Sequence, residues 1–239
     1  MQCASALRTL LIVVPIALLL AASPVAAQQT YVSRYDAFVG YAFLDSPHIS
    51  LFENGFQAQF GYRPKPWYSL GFDYSRSTGD LVLAPDLLPT ALAQPIEGAI
   101  AQLIAAHQLP AGYALAVSTR STTQTLAIGP QLAYRHFSHL TLFIRPSLGA
   151  IHEVAVPHPA DAFATSIAQE LAPSGKKTDW TGFYGFGGGF DILFAKHFAL
   201  RTQADLVYDH LFNDVLKDGR MTVRFSVGPC FNFGGNIAK

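Results

Sequence analysis

The stretch Arg220-Met221-Thr222-Val223-Arg224-Phe225-Ser226-Val227-Gly228-Pro229-Cys230-Phe231-Asn232-Phe233 decides the fold. Its odd positions read Met, Val, Phe, Val, Pro, Phe, Phe, and its even positions Arg, Thr, Arg, Ser, Gly, Cys, Asn. Sorting by parity is the period of a β-strand, whose successive side chains point to opposite faces. The run is far longer than the five or six residues usual in a soluble strand. It needs an apolar medium on one side and a polar one on the other, which a lipid-facing wall around a polar lumen supplies.

Seven further runs share this pattern. Tyr35, Ala37, Val39, Tyr41 and Phe43 oppose Asp36, Phe38, Gly40 and Ala42, ending at Asp45-Ser46-Pro47. Phe56, Ala58, Phe60 and Tyr62 alternate with Gln57, Gln59 and Gly61 up to Pro64-Lys65-Pro66, where proline lacks the donor a ladder needs. Tyr68, Leu70, Phe72 and Tyr74 oppose Ser69, Gly71, Asp73 and Ser75. Strand four sets Leu126, Ile128, Pro130, Leu132 and Tyr134 against Thr125, Ala127, Gly129, Gln131, Ala133 and Arg135, and strand five sets Leu142, Ile144, Pro146 and Leu148 against Phe143, Arg145, Ser147 and Gly149. Strand six, near residues 180–194, places Tyr184, Phe186, Phe190 and Ile192 opposite Gly185, Gly187, Gly189 and Asp191. Strand seven places Phe198, Leu200, Thr202, Ala204, Leu206 and Tyr208 opposite Ala199, Arg201, Gln203, Asp205, Val207 and Asp209.

The connections alternate, long after strands one, three, five and seven and short after two, four and six. Within the long ones, Pro95-Ile96-Glu97 predicts a helix start whose apolar positions run to Leu103 and Ile104, and Phe163, Ile167 and Leu171 predict a second helix begun near Asp161 and ended by Pro173 and Gly175. The first helix is expected to pack on the barrel rim, with a lid or plug as the sharper alternative.

Composition agrees with a β membrane protein. Half of the 239 residues are hydrophobic and 13% are charged, about half the share usual in soluble proteins. No segment after the N-terminal leader has the roughly twenty consecutive apolar residues of a membrane helix. A formal net charge of zero leaves no electrostatic footprint for nucleic acid. Arg8, the apolar run 10–22 and Val25-Ala26-Ala27 form the three parts of a secretory signal, so residues 1–27 are expected to be removed and 28–239 to form the barrel domain. Cys230 is then alone in the mature chain, which leaves no disulfide framework, and its inward parity makes it a small packed side chain.

These features predict an all-β, eight-stranded antiparallel up-and-down transmembrane β-barrel with short helices in long extracellular loops, placed in the outer membrane of a bacterium with both termini periplasmic. Closure removes the strand edges that lipid could not satisfy. Aromatic residues collect at the expected interfaces: Tyr35, Tyr62, Trp67, Tyr68, Tyr134, Phe198 and Phe233 at the short-turn end, and Phe43, Tyr74, Tyr184 and Tyr208 toward the loops. On this pattern, topology and aromatic terminal strand, residues 31–233 resemble the OmpA-like family of small outer-membrane β-barrels. The resemblance implies a structural or surface role, with outer-membrane lipids, the outer-membrane assembly machinery, periplasmic chaperones and an unidentified extracellular molecule as partners. Two features depart from the family pattern: residues 234–239 follow the terminal aromatic, and no peptidoglycan-binding domain follows the barrel.

Parity places Asp36, Asp73, Arg145, Asp191, Arg201, Asp205 and Arg224 in the lumen, where a charge is costly unless paired. An internal ion-pair network that plugs the barrel is expected, with Arg224 meeting an aspartate such as Asp205 and with Arg224→Met leaving the barrel assembled. The alternative is a narrow channel for ions or small solutes with the arginines at its constriction. A soluble lipocalin-like carrier is disfavoured because the polar faces of strands seven and eight carry charges. A lipid A-modifying enzyme is disfavoured because His136-Phe137-Ser138 falls in a short periplasmic turn, while His152-Glu153 at the outer rim has no assignable serine. No enzyme activity, cofactor or metal is expected; His48, His152 and His158 lack regular ligand spacing. The cluster Gly185, Gly187, Gly188 and Gly189 lacks the lysine of a phosphate loop and is expected to make room for inward aromatics such as Phe38 and Phe143.

Overall fold

The computed structural model describes residues 29–216 and 220–238. The expected leader at residues 1–27 lies outside the described residues. Eight strands follow in order: β1 (Ser33–Ser46), β2 (Leu51–Lys65), β3 (Tyr68–Leu83), β4 (Val117–Tyr134), β5 (Leu140–His158), β6 (Lys177–Ala195), β7 (Phe198–Asp209) and β8 (Arg220–Asn236). Each pairs antiparallel with its sequence neighbours and β8 closes on β1, giving an up-and-down barrel without a free edge. The quoted terminal stretch is flanked on both sides, Asp36 facing Asn232 and Asp205 facing Arg224 across the ladders.

The outer wall is a field of exposed apolar side chains, among them Val39, Phe60, Phe72, Leu126, Leu148, Phe186 and Phe225. The opposite parity is buried. Aromatic rings ring the short-turn end, with Tyr35 5.5 Å from Phe233 and 5.7 Å from Tyr62, and Phe198 5.1 Å from Phe231. Toward the loops, Phe43 stacks near Phe52 at 5.9 Å and Tyr184 near Tyr208 at 5.3 Å. The β4–β5 ladder is interrupted where Pro130 and Pro146 stand opposite each other, because neither supplies an N–H.

Three sequence expectations need correction. The strands continue beyond the apolar band: β3 to Leu83, β5 to His158, and β4 and β6 from Val117 and Lys177. The connection after β1 is therefore short, a single 3-10 turn at Pro47–Ile49 closed by Ser50 in the left-handed region at φ 50°. The first loop helix, α1 (Thr90–Ala105), starts before Pro95, with the amides of Leu92 and Ala93 donating to Pro89 O at 2.8 and 2.9 Å. Pro95 sits inside it, early enough to forfeit a single backbone bond. The helix stops at His107, at φ 57°, with Gln108 N–H donating to Leu103 O at 2.9 Å. The second helix, α2 (Ala162–Leu171), has Asp161 as its N-cap, the carboxylate accepting from Ala164 N–H at 2.8 Å.

Candidate functional site: the lumen and its cap

The inward side chains form layers along the barrel axis. At the short-turn end, Asp36 accepts from Arg63 at 2.6 Å and from Arg201 at 2.7 Å. Arg201 also grips Asp191, Nε at 2.7 Å and Nη2 at 2.9 Å, and reaches Gln59 Oε1 at 3.1 Å. Its guanidinium lies over the rings of Phe38 and Phe143, 5.7 and 5.1 Å from their centroids. A cation between two ring faces gains from their negative quadrupoles, an attraction strengthened by desolvation. Cys230 is fully buried beside this cluster, its Sγ 3.9 Å from Asp36.

The next layer is built on Asp73 and Asp205. Arg224 Nη2 bonds Asp205 at 2.9 Å and Asp73 at 3.2 Å, while its Nη1 donates to Ser75 and Thr125, both at 3.0 Å. Arg145 reaches Asp73 at 3.0 Å. Gln57 donates to Asp73, and Gln203 donates to Asp205 at 3.1 Å and to Gln57 at 3.2 Å. The seven lumen residues named from parity thus fall into two clusters, Asp36, Asp191 and Arg201 in one and Asp73, Arg145, Asp205 and Arg224 in the other. Most of these buried charges have several charge-assisted partners, the condition under which burial is tolerable, whereas Arg145 bonds Asp73 through Nη2 and its Nε has no partner among the described residues.

Arg63 and Arg135 belong to the same interior and escaped the sequence reading of the lumen charges. Arg63 shares the parity of Gln57 and Gln59 but lies just before the proline taken as the strand's end. Arg135 donates to Pro66 O and to Thr141 at 2.9 Å each, and to Gln29 at 3.2 Å. Gln29 in turn donates to Thr141 at 2.9 Å, so a residue outside the strands closes the short-turn mouth. The residues after Phe233 hold that segment. Gly234 to Asn236 extend β8, Asn236 accepts from Val32 N–H at 3.0 Å and donates to Thr30 O at 3.0 Å, and Ile237 N–H donates to Val32 O at 2.8 Å.

Above the charged layers apolar groups join buried polar ones, Glu53 accepting from Thr123 at 3.0 Å and Glu153 from Ser121. Ala127, Ile151, Phe183 and Val207 pack with Leu211 and Phe212, which descend from the β7–β8 connection into the barrel mouth. That descent is pinned by β6: Asp179 accepts from Phe212 N–H at 2.6 Å, and Lys177 pairs with Asp214 at 2.5 Å. Phe212 adopts φ 54°, an uncommon region for a bulky residue. Higher still, Leu88, Ile96, Leu115, Val117, Ala164 and Val215 form an apolar cap joining α1, α2 and the strand ends. Tyr113 O–H donates to Asp161 at 2.8 Å and ties the two helical loops together. Partial burial, followed by this bond, pushes the Tyr113 phenol up to about 12, and the Ala164 amide and Tyr113 hold Asp161 below the usual carboxylate range.

The remaining candidates are placed differently from one another. His136 stacks on Tyr134 at 4.5 Å in the short β4–β5 turn, while Ser138 Oγ lies 2.8 Å from His139 Nδ1. His152 points outward and stacks on Trp180 at 4.3 Å, whereas Glu153 points inward and accepts from Ser121 at 2.7 Å. Among the described residues, no group of three His, Cys, Asp or Glu side chains is arranged to hold a metal ion. Within the glycine cluster, Gly185 faces the ring of Phe183, but Gly187 gives space to the Asp205 carboxylate, and Phe38 folds over Gly40 on its own strand. A charged side chain, not a ring, crowds the wall at Gly187 because β7 sets Asp205 directly across from it.

A closed antiparallel barrel of eight strands, apolar outside and charged within, is the fold of small transmembrane β-barrels, and this chain has that fold. No family model and no curated protein sequence matches it. Among solved structures, Neisserial surface protein A aligns with 83% of this chain and 96% of its own at 12% identity, with a TM-score of 0.51. Ail, the attachment invasion locus protein of Yersinia pestis, solved with the heparin analogue sucrose octasulfate, aligns with 84% of this chain and 99% of its own at 13% identity and a TM-score of 0.48. OprG of Pseudomonas aeruginosa aligns with 87% and 99% at 10% identity and a TM-score of 0.46. At these identities the likeness is one of fold.

Proposed function

We propose that the protein resides in the bacterial outer membrane as a closed barrel with a structural or surface-interaction role, its termini in the periplasm and its helical cap outside. The observation that carries this reading is the filled lumen. Two ion-pair clusters and an apolar layer follow one another along the axis, and Leu211 and Phe212 stopper the mouth. An eight-stranded barrel has an interior just wide enough for its own side chains to fill. The orientation is supported by the connections, three of the four at the cap end being long, since such barrels keep short turns on the periplasmic side. Insertion requires the outer-membrane assembly machinery and periplasmic chaperones, and the apolar wall takes outer-membrane lipids as its solvent.

The helix-bearing cap is what remains for recognition of an extracellular partner. Planar-bilayer recording of the reconstituted protein tests the closed lumen: it should show no large, steady conductance, and observing one would favour the channel reading. An epitope inserted at Gly112 should be reached by antibody on intact cells and a C-terminal epitope should not. The reverse labelling would overturn the orientation.

A further inference from the structure

The upper part of the barrel holds a second, partly open chamber, distinct from the charged lumen, with a volume of about 70 Å³. Leu83, Val117 and Ala155 of the strand ends form its walls, Ala168 and Leu171 of α2 one side, and Leu216 of the β7–β8 connection part of its roof. Protein interiors ordinarily close-pack to leave few voids larger than a water molecule. Here the ladders of β3, β4 and β5 hold the wall open, so the chamber does not collapse.

Its accessible lining is almost wholly apolar, and the polar side chains at its margin also bond elsewhere: Thr119 Oγ1 donates to Val117 O at 3.2 Å, Glu153 accepts from Ser121 at 2.7 Å, and Lys177 is paired with Asp214. Water gains few hydrogen bonds against such a lining, and an apolar cavity of roughly 150 Å³ is known to take benzene or xenon. We propose that this chamber is a binding site for a compact, uncharged apolar molecule. Its volume favours a small occupant, and Leu216 stands at its margin.

Xenon is the probe, and methyl NMR of the full mature chain in nanodiscs is the measurement. Xenon should shift the methyl signals of Leu83 and Leu171 in a saturable manner. Ala155→Leu and Ala168→Leu, which fill the chamber from two different elements, should each weaken that response at least tenfold while the lumen resonances stay in place. If one variant does not assemble, the other still decides. Absence of a saturable shift in the wild type overturns the proposal, as does an unchanged response in the filled variants. Acetate should shift neither methyl; a saturable acetate shift would overturn the apolar specificity. None of these readouts depends on conductance, so a failure here is distinct from a failure of the closed-lumen reading.

Discussion

The same strands live under two opposite polarity rules. Along the lower part of β3, Leu70, Phe72 and Tyr74 face outward while Ser69, Asp73 and Ser75 face the lumen; farther up, Arg76, Thr78 and Asp80 face outward while Leu81 is buried inside and Leu83 lines the chamber. β4 mirrors this, with Leu126 and Ile128 outward below and Ser118, Arg120 and Thr122 outward above, where Val117 packs into the apolar cap. The backbone is continuous across the switch, so hydrogen bonding does not cause it. The surrounding solvent does: lipid requires an apolar exterior and leaves polar groups to pair within, whereas water permits a polar exterior and drives apolar groups inward. The upper section is thus built like a soluble barrel standing on a membrane one.

The comparison is broken most severely by opening the charged lumen. Asp73→Ala leaves Arg145 and Arg224 without their shared carboxylate and should cost about 3–5 kcal/mol, read from denaturant unfolding in lipid vesicles. Arg224→Met should cost less and still assemble, since Asp73 keeps Arg145 and Asp205 keeps Gln203. One substitution made in both sections sharpens the contrast. Leu148→Arg, on the lipid-facing wall, should cost about 2–4 kcal/mol in the same assay. Val82→Arg, equally outward but above the band, should change stability by less than about 0.5 kcal/mol. Equal costs would mean that the upper section also lies in lipid.

The smallest effect is confined to the cap. Asp161→Ala removes the N-cap of α2 and the acceptor of Tyr113, and should speed hydrogen exchange at Ala164 without moving the lumen signals. The pH dependence has a definite sign. Asp161 titrates below its unfolded value, so its capping contribution is complete above the ordinary carboxylate pKa and fades as pH falls through the lowered one. Tyr113 is raised to about 12, so its contribution is complete below the ordinary phenol value and fades as pH rises through about 12. Protection of the Ala164 amide, relative to its intrinsic exchange rate, that stays constant on acidification to pH 2 would contradict the capping role.

What the sequence determined by itself was the number of strands, their order and the face each side chain takes within the band, because lipid imposes an apolar exterior strictly enough for parity to show it. Asp36, Asp73, Arg145, Asp191, Arg201, Asp205 and Arg224 were legible as one inward set for that reason. Tertiary structure decided the rest. Which arginine meets which aspartate depends on curvature that brings Asp36 of β1 to Arg201 of β7, residues far apart in the chain and on strands that are not neighbours. The strand extensions were illegible because above the band the polarity inverts and, along Ser118 to Thr125, both faces are polar, so periodicity vanishes although the ladder continues. The terminal stretch ran past Phe233 for a reason that its own pattern does not carry: Asn236 and Ile237 find their partners at Thr30 and Val32, the other end of the chain, which closure alone brings within reach.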